Sequence, residues 1–133
     1  MQKLTVEAKA DRLDEVIAFV DSFLEAQNCP MKAQMQIDLC VEEIFVNIAN
    51  YAYPDTTGTA EIRIAAENGV AVLTFIDAGL PYDPLQRDAP DITLPAEERE
   101  IGGLGIFLVR KNTDTVFYRY EDGKNVLTIT KAI

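Results

Sequence analysis

Two tight-turn dipeptides, Asn68-Gly69 and Asp122-Gly123, constrain the fold more than any other feature of this sequence. Both pairs suit the two-residue turns of β-hairpins, because these residue types adopt the positive φ angles that such turns require. The stretches on either side of each pair carry the alternating or continuous apolar patterns of strands. These four stretches are residues 59–67, 70–77, 116–121 and 125–131. The sequence therefore predicts two antiparallel hairpins.

The rest of the chain adds one strand and three helices. Lys3 to Ala8 alternates apolar and polar residues as a short edge strand does, and apolar residues recur at helical spacing between Leu13 and Leu24. A second helix of about 30 Å is predicted from Lys32 to about Tyr51, and a third from Ile106 to about Thr113. This order predicts an α+β fold: a two-layer sandwich with a largely antiparallel sheet of about five strands and the three helices on one face.

Composition limits the function classes. The chain has 133 residues, 48% of them hydrophobic, and a formal charge of −10, so one globular domain spanning residues 1–133 is expected. The acidic balance argues against direct binding of nucleic acid, and no apolar run reaches the length of a membrane span. With no signal-peptide pattern, cytoplasmic location is expected. The absence of histidine removes the commonest general base, and Cys29 and Cys40 are expected to be reduced thiols.

A narrow polar stripe marks the second helix. Glu43, Asn47 and Asn50 fall within about 60° of one another around a helix of about 3.6 residues per turn. Apolar residues occupy most of the remaining circumference, so this part of the helix is expected to be buried. Because an unpaired buried polar group costs about 1–3 kcal/mol, the stripe requires a partner. One interpretation is a polar pair satisfied by neighbouring backbone, and the other is a ligand.

Two more stretches carry possible chemistry. Asp77-Ala-Gly79 ends a strand, where a carboxylate can accept a hydrogen bond from a flat ligand, although such a sequence is more often only a turn. The run Gly102-Gly103-Leu104-Gly105 precedes a helix, where backbone N–H groups can approach phosphate oxygens. A plain turn and helix cap is the alternative. A long segment between them, residues 78–101, contains four prolines and is predicted to be a loop. A lid over a site is one physical explanation for a loop of this length.

Taken together and in this order, the three stretches resemble the boxes of the GHKL ATPases, the superfamily of gyrase, heat-shock chaperones, mismatch-repair ATPases and histidine kinases. Glu43-x-x-x-Asn47 is similar to the N box, Asp77-x-Gly79 to the first glycine box, and Gly103-Leu104-Gly105 to the second. The forms of residues 77–84 and 102–109 look most like the anti-sigma-factor serine/threonine kinase branch. The sequence departs from the family at Pro81, where a second glycine is common, and at Tyr51, often a histidine.

The resemblance implies a Bergerat-type fold that binds ATP and Mg²⁺. In that scheme Asn47 ligates Mg²⁺, Asp77 reads the adenine amino group and Gly79 allows the base to approach closely. The backbone of residues 102–105 holds the phosphates, with Asn50 lining the site. Glu43 is the implied catalytic base. Arg87 and Arg99 in the long loop are further candidates for contacting phosphate, or are simply solvated.

The implied function is a regulatory kinase that binds a sigma factor and phosphorylates a serine or threonine of an anti-anti-sigma antagonist of the STAS type. A homodimer through the open face of the sheet is a further implication. The alternative is a non-catalytic nucleotide-binding module that sequesters its partner. A third hypothesis, a metal-dependent hydrolase using Glu43, Asp77 and Asp83, leaves the glycines unexplained.

Overall fold

A computed structural model describes residues 1–86 and 103–133. It contains five strands and three helices in the predicted order. The strands are β1 (Gln2–Glu7), β2 (Thr59–Glu67), β3 (Val70–Asp77), β4 (Thr115–Glu121) and β5 (Lys124–Ala132). The helices are α1 (Leu13–Ala26), α2 (Met31–Tyr51) and α3 (Gly103–Asn112), with short 3-10 turns at Ala10–Arg12 and Pro84–Gln86. None of the helices in the described residues is long and apolar enough to cross a membrane.

The five strands form one sheet in the order β1-β2-β3-β5-β4, and every neighbouring pair is antiparallel. Both predicted hairpins are present, and Asn68 and Asp122 adopt positive φ angles of 54° at their turns. The strand β3 lies between β2 and β5, as its apolar composition predicted. The predicted α+β class, with helices on one face of an antiparallel sheet, is therefore confirmed.

The hydrophobic core lies between the helices and one face of the sheet. Side chains from all three helices and from the three central strands are fully buried there. They include Val16, Val20, Leu24, Ile37, Val41, Phe45, Ile62, Ile64, Leu73, Phe75, Val109 and Ile129. Because alternate residues of a strand point to opposite faces, this burial fixes which residues of β3 and β5 face the helices. Asp77 and Asn125 share that face, and they pair directly across β3 and β5.

The glycines near α3 differ from their predicted position. The sequence places residues 102–105 in a turn before a helix that starts at Ile106, whereas α3 already includes Gly103 and Gly105. Close packing against Glu43 of α2 explains why a glycine suits position 105 although the residue is helical, as described below. The first four N–H groups of a helix have no partner within the helix, so glycines in the first turn still leave backbone donors free for a ligand.

Two carboxylates meet between α1 and α2. One oxygen each of Asp21 and Asp38 is buried without a hydrogen-bond partner among the described residues. Burial, followed by the nearby Asp21 and Glu25 carboxylates, raises the pKa of Asp38 from its usual 3.8 to about 8. The folded protein therefore holds a proton at pH values where the unfolded chain has lost it, and this interface loses stability as pH rises from about 4 to 8.

We expect Asp38→Asn to stabilise the protein at pH 8, because the amide keeps the shape of the side chain and carries no charge. The gain should be about 1–2 kcal/mol, a value reduced for the partial exposure of the site, and it should shrink toward pH 4. Urea denaturation at both pH values measures it. Asp55→Asn, in an exposed loop, is the matched control. A variant that is less stable than the wild type at pH 8 would contradict this account.

Candidate functional site

The helix α2 places Asn47 on the wall of a cleft and Glu43 one turn before it, beside α3. Asn47 and Glu43 are both half-buried, one turn apart, on the side of α2 that faces α3. The prediction of a buried stripe is wrong at Asn50, which is exposed, and the flanking Leu39 is 36% exposed. The physical reason is that α2 buries its other side, including Ile44 and Phe45, against the core, while no described residue covers Asn50.

Glu43 lies against the first turn of α3. A Cβ atom placed on Gly105 would come within 2.6 Å of Glu43 Oε2, so only a glycine at this position leaves the carboxylate where it is. Burial, and then the neighbouring Glu42 carboxylate, raise the pKa of Glu43. A carboxylate with a raised pKa takes up a proton more readily near neutral pH, which is the property of a general base.

Asp77 is buried at the end of β3. Its Oδ1 accepts hydrogen bonds from the Gly79 backbone N–H at 2.9 Å and from Asn125 Nδ2 at 2.9 Å. No described residue donates to its Oδ2. Burial raises the pKa of Asp77, and the donors from Asn125 and Gly79 oppose this change. The side chain is therefore an oriented hydrogen-bond acceptor with one oxygen left for a ligand.

The loop after β3 is fastened to the end of α2. The Leu80 N–H donates to the Ala52 carbonyl at 2.9 Å, and a Cβ atom on Gly79 would overlap that same carbonyl oxygen. Beside it, the Tyr53 hydroxyl donates to the Thr59 carbonyl at 2.7 Å and accepts from the Ala78 N–H at 2.8 Å. These contacts hold the end of β3 and the end of α2 at a fixed separation.

A cleft lies between these elements. It encloses about 600 Å³, including the part that is open to solvent. Most of its lining is apolar or aromatic, with Asn47, Asp77 and Asn125 as the amide and carboxylate groups. The other lining residues are Ile44, Ile48, Tyr51, Ala52, Phe75, Leu80, Tyr82, Pro84, Ile106, Val109, Tyr118 and Leu127. An apolar slot with a few convergent polar groups suits a flat aromatic ligand that carries a hydrogen-bond donor.

Some of the remaining predicted residues lie near the cleft, and the others lie outside the described residues. Gly79 and Gly105 lie beside the cleft, and the backbone of Gly103 and Leu104 lies in the first turn of α3. Gly102, Arg87 and Arg99, with most of the predicted lid, lie outside the described residues.

The hypothesis of a metal-dependent hydrolase that uses Glu43, Asp77 and Asp83 finds no support. The described residues contain no group of three or more acidic or cysteine side chains able to hold a metal ion. Asp83 instead accepts a hydrogen bond from the Leu85 N–H at 2.9 Å.

Three residues that surround Asp77 and the loop that follows it were not identified from the sequence. Asn125 and Tyr118 contact the polar end of the cleft, and Tyr53 fastens the loop after β3. For Asn125 a signal was present, because it shares its strand face with Leu127 and Ile129 and is the polar member of that inward series. Its proximity to Asp77 depends on the register of β3 with β5, which the sequence pattern alone does not determine.

We expect Gly79→Ala and Gly105→Ala to affect stability in opposite ways. At Gly79 the new Cβ meets backbone that cannot move aside, so the change should destabilise the fold by about 1–3 kcal/mol. At Gly105 it meets only the end of a flexible side chain, and alanine is favoured over glycine in a helix by about 0.5–1 kcal/mol, so stability should be kept or increased while Glu43 is displaced. Urea denaturation of both variants provides the comparison. Equal losses of stability would show that the two glycines do not differ in this way.

A family model and one known kinase each match most of this chain. A family model described as a histidine kinase-like ATPase domain matches residues 6–131. The serine/threonine-protein kinase BtrW of Bordetella bronchiseptica is 27% identical over 100 residues, which cover 74% of this chain and 70% of that protein.

Solved structures show the same fold. A structure of the RsbU and RsbW domains of Rv1364c from Mycobacterium tuberculosis matches with a TM-score of 0.66 and 14% identity. That match covers 99% of this chain and 32% of the other, so this chain spans about a third of it. The catalytic domain of the histidine kinase ThkA matches with a TM-score of 0.53 and 13% identity over 99% of this chain and 97% of that domain. Because the family model matches residues 6–131, nearly the whole chain, the chain belongs to the histidine kinase-like ATPase domain family.

Proposed function

We propose that this protein binds Mg²⁺-ATP in the cleft and transfers the γ-phosphoryl group to a serine or threonine hydroxyl of a partner protein. The observation that carries the proposal is the cleft that Asn47 and Asp77 line together, with apolar walls between them. The kinase named BtrW supports the choice of a protein hydroxyl as acceptor. From the sequence resemblance, the proposed acceptor is an anti-anti-sigma antagonist, and the proposed regulated partner is a sigma factor.

In this proposal Asp77 accepts a hydrogen bond from the adenine amino group through Oδ2. The apolar cleft walls contact the faces of the base, and the absence of a side chain at Gly79 lets the loop lie close to it. The backbone N–H groups of the first turn of α3, at residues 103–105, donate to phosphate oxygens. These donors matter because the chain carries a net charge of −10 and must bind a polyanion.

The residues present fit a magnesium ion. Asn47 offers an amide oxygen on the cleft wall, and none of the described residues hydrogen-bonds to its side chain. Mg²⁺ accepts oxygen ligands and is commonly held by one or two protein groups together with phosphates and water. When bound, the ion would supply positive charge that offsets the charge of the phosphates. Asn50, one turn further along α2, is proposed to contribute from the exposed rim of this site.

Glu43 is the proposed general base. The acceptor hydroxyl gives its proton to the Glu43 carboxylate while its oxygen forms a bond to the γ-phosphorus, and the bond to the β-phosphate oxygen breaks to release ADP. The raised pKa of Glu43 and its position beside Gly105 suit this role. The alternative function, partner sequestration without catalysis, requires no proton acceptor at this position.

We expect Glu43→Gln to reduce phosphoryl transfer at least 100-fold, because glutamine has the same shape and cannot accept the proton. Affinity for ATP should stay within about threefold of the wild type, since binding uses other groups. The assay is transfer from labelled ATP to the purified antagonist, with phosphoserine or phosphothreonine as the product. An exposed glutamate at the β2–β3 hairpin provides the matched control, Glu67→Gln. A wild-type protein that binds ATP without forming the product would refute the kinase and favour sequestration.

We expect Asn47→Ala to abolish most of the magnesium dependence of ATP binding, because the variant loses the proposed ligand. In the wild type, removing Mg²⁺ with a chelator should weaken ATP binding about tenfold or more, whereas the variant should bind ATP equally weakly in both conditions. Calorimetric titration with and without Mg²⁺ measures this difference. Asn50→Ala should retain most of the dependence, since its side chain is exposed. An unchanged response to Mg²⁺ in Asn47→Ala would place the metal ligand elsewhere.

A further inference from the structure

Asn125 forms a saturated set of hydrogen bonds at the polar end of the cleft. It is 7% exposed, and its Nδ2 donates to Asp77 Oδ1 at 2.9 Å and to the Leu80 carbonyl at 2.8 Å. Its Oδ1 accepts from the Tyr82 N–H at 3.0 Å and from the Tyr118 hydroxyl. A side-chain amide has two donor hydrogens and two acceptor positions. Every one of these is used.

The backbone partners fix the orientation of this amide. A backbone N–H can only donate and a backbone carbonyl can only accept, so Tyr82 N must face the amide oxygen and Leu80 O must face the amide nitrogen. Rotating the amide by 180° would place its oxygen against the Leu80 carbonyl and its NH2 group against the Tyr82 N–H. The second amide hydrogen is thereby directed at Asp77, independently of any ligand.

This arrangement decides which oxygen of Asp77 meets a ligand. Oδ1 accepts hydrogen bonds from both Asn125 Nδ2 and the Gly79 N–H. Rotation of the carboxylate would break both, and each hydrogen bond to a charged group contributes substantially. Oδ2 has no donor among the described residues and belongs to a side chain that lines the cleft.

We infer that Asn125 is a positioning residue for base selection: it holds the Asp77 carboxylate with Oδ1 occupied and Oδ2 presented to the cleft, so that the cleft selects a base edge bearing an amino N–H. The inference rests on the proposed nucleotide site and adds to it a residue that does not itself touch the ligand. Without Asn125 the carboxylate keeps only the hydrogen bond from the Gly79 N–H and is held less firmly, so a base that lacks the amino group is rejected less strongly.

The test compares ATP with purine riboside triphosphate, which is the same nucleotide without the 6-amino group. Affinities of both, with Mg²⁺, are measured by calorimetry for the wild type, Asn125→Ala and Asn125→Leu. Neither replacement has a polar side-chain atom, so neither can donate a hydrogen bond to Asp77. The wild type should favour ATP about tenfold or more, and the variants should favour it about threefold or less.

The ratio of the two affinities separates positioning from general stability. A merely structural role would lower the folded fraction and weaken both nucleotides alike, leaving the ratio unchanged. Tyr118→Phe is the matched control, because it disturbs the same network and leaves the bond from Asn125 to Asp77 in place. Its ratio should stay within about twofold of the wild type, since three of the four hydrogen bonds remain.

Each outcome has one meaning. If both Asn125 variants keep the wild-type ratio of affinities, the role of Asn125 is overturned while nucleotide binding stands. The same conclusion follows if Tyr118→Phe lowers the ratio as much as the Asn125 variants do. A wild type that binds both nucleotides equally overturns base reading by Asp77, and the inference with it. A wild type that binds neither overturns the proposed function itself. A variant that shows no cooperative thermal transition is not folded, and in that case the ratio of affinities is taken from the other Asn125 variant.

Discussion

The pairing of β3 with β5 is the constraint on which the cleft depends. In this register Asp77 lies opposite Asn125 at the end of both strands, and both side chains face the helices. A shift by one residue would turn one of them to the open face of the sheet, so the polar end of the cleft would be lost. The register is secured by the buried series on β3 and β5, since Leu73, Phe75 and Ile129 must reach the core. The same apolar burial that stabilises the fold therefore places the polar residues.

A second connection joins this sheet end to α2. The Ala52 carbonyl lies at the end of α2, where a helix leaves carbonyl groups without partners, and it accepts the Leu80 N–H. Tyr53 adds a bridge between the Thr59 carbonyl and the Ala78 N–H. These hydrogen bonds connect the end of the helix that carries Glu43 and Asn47 to the end of the strand that carries Asp77. Such connections suit a site whose groups must keep a fixed geometry.

Much of this fold could be predicted from the sequence, because its signals are local. The turn pairs Asn68-Gly69 and Asp122-Gly123, and the helical and strand periods, each depend on residues close in the chain. The site was predicted less completely. Asn125 meets Asp77 only through strand register, and the exposure of Asn50 depends on which residues of the folded chain cover α2, so a local pattern determines neither. The roles of Gly102, Arg87 and Arg99 stay predictions, since these residues lie outside the described chain.

The saturated amide of Asn125 has a consequence for the thermodynamics of ligand binding. Immobilising a free polar side chain on binding costs about 0.5–1.5 kcal/mol of entropy, and here that ordering took place when the chain folded. The Asp77 carboxylate, which is proposed to meet the base, is already in place, whereas no described residue hydrogen-bonds to the Asn47 side chain. Recognition of the base should thus carry little entropic penalty, and the larger reorganisation is confined to the phosphate end.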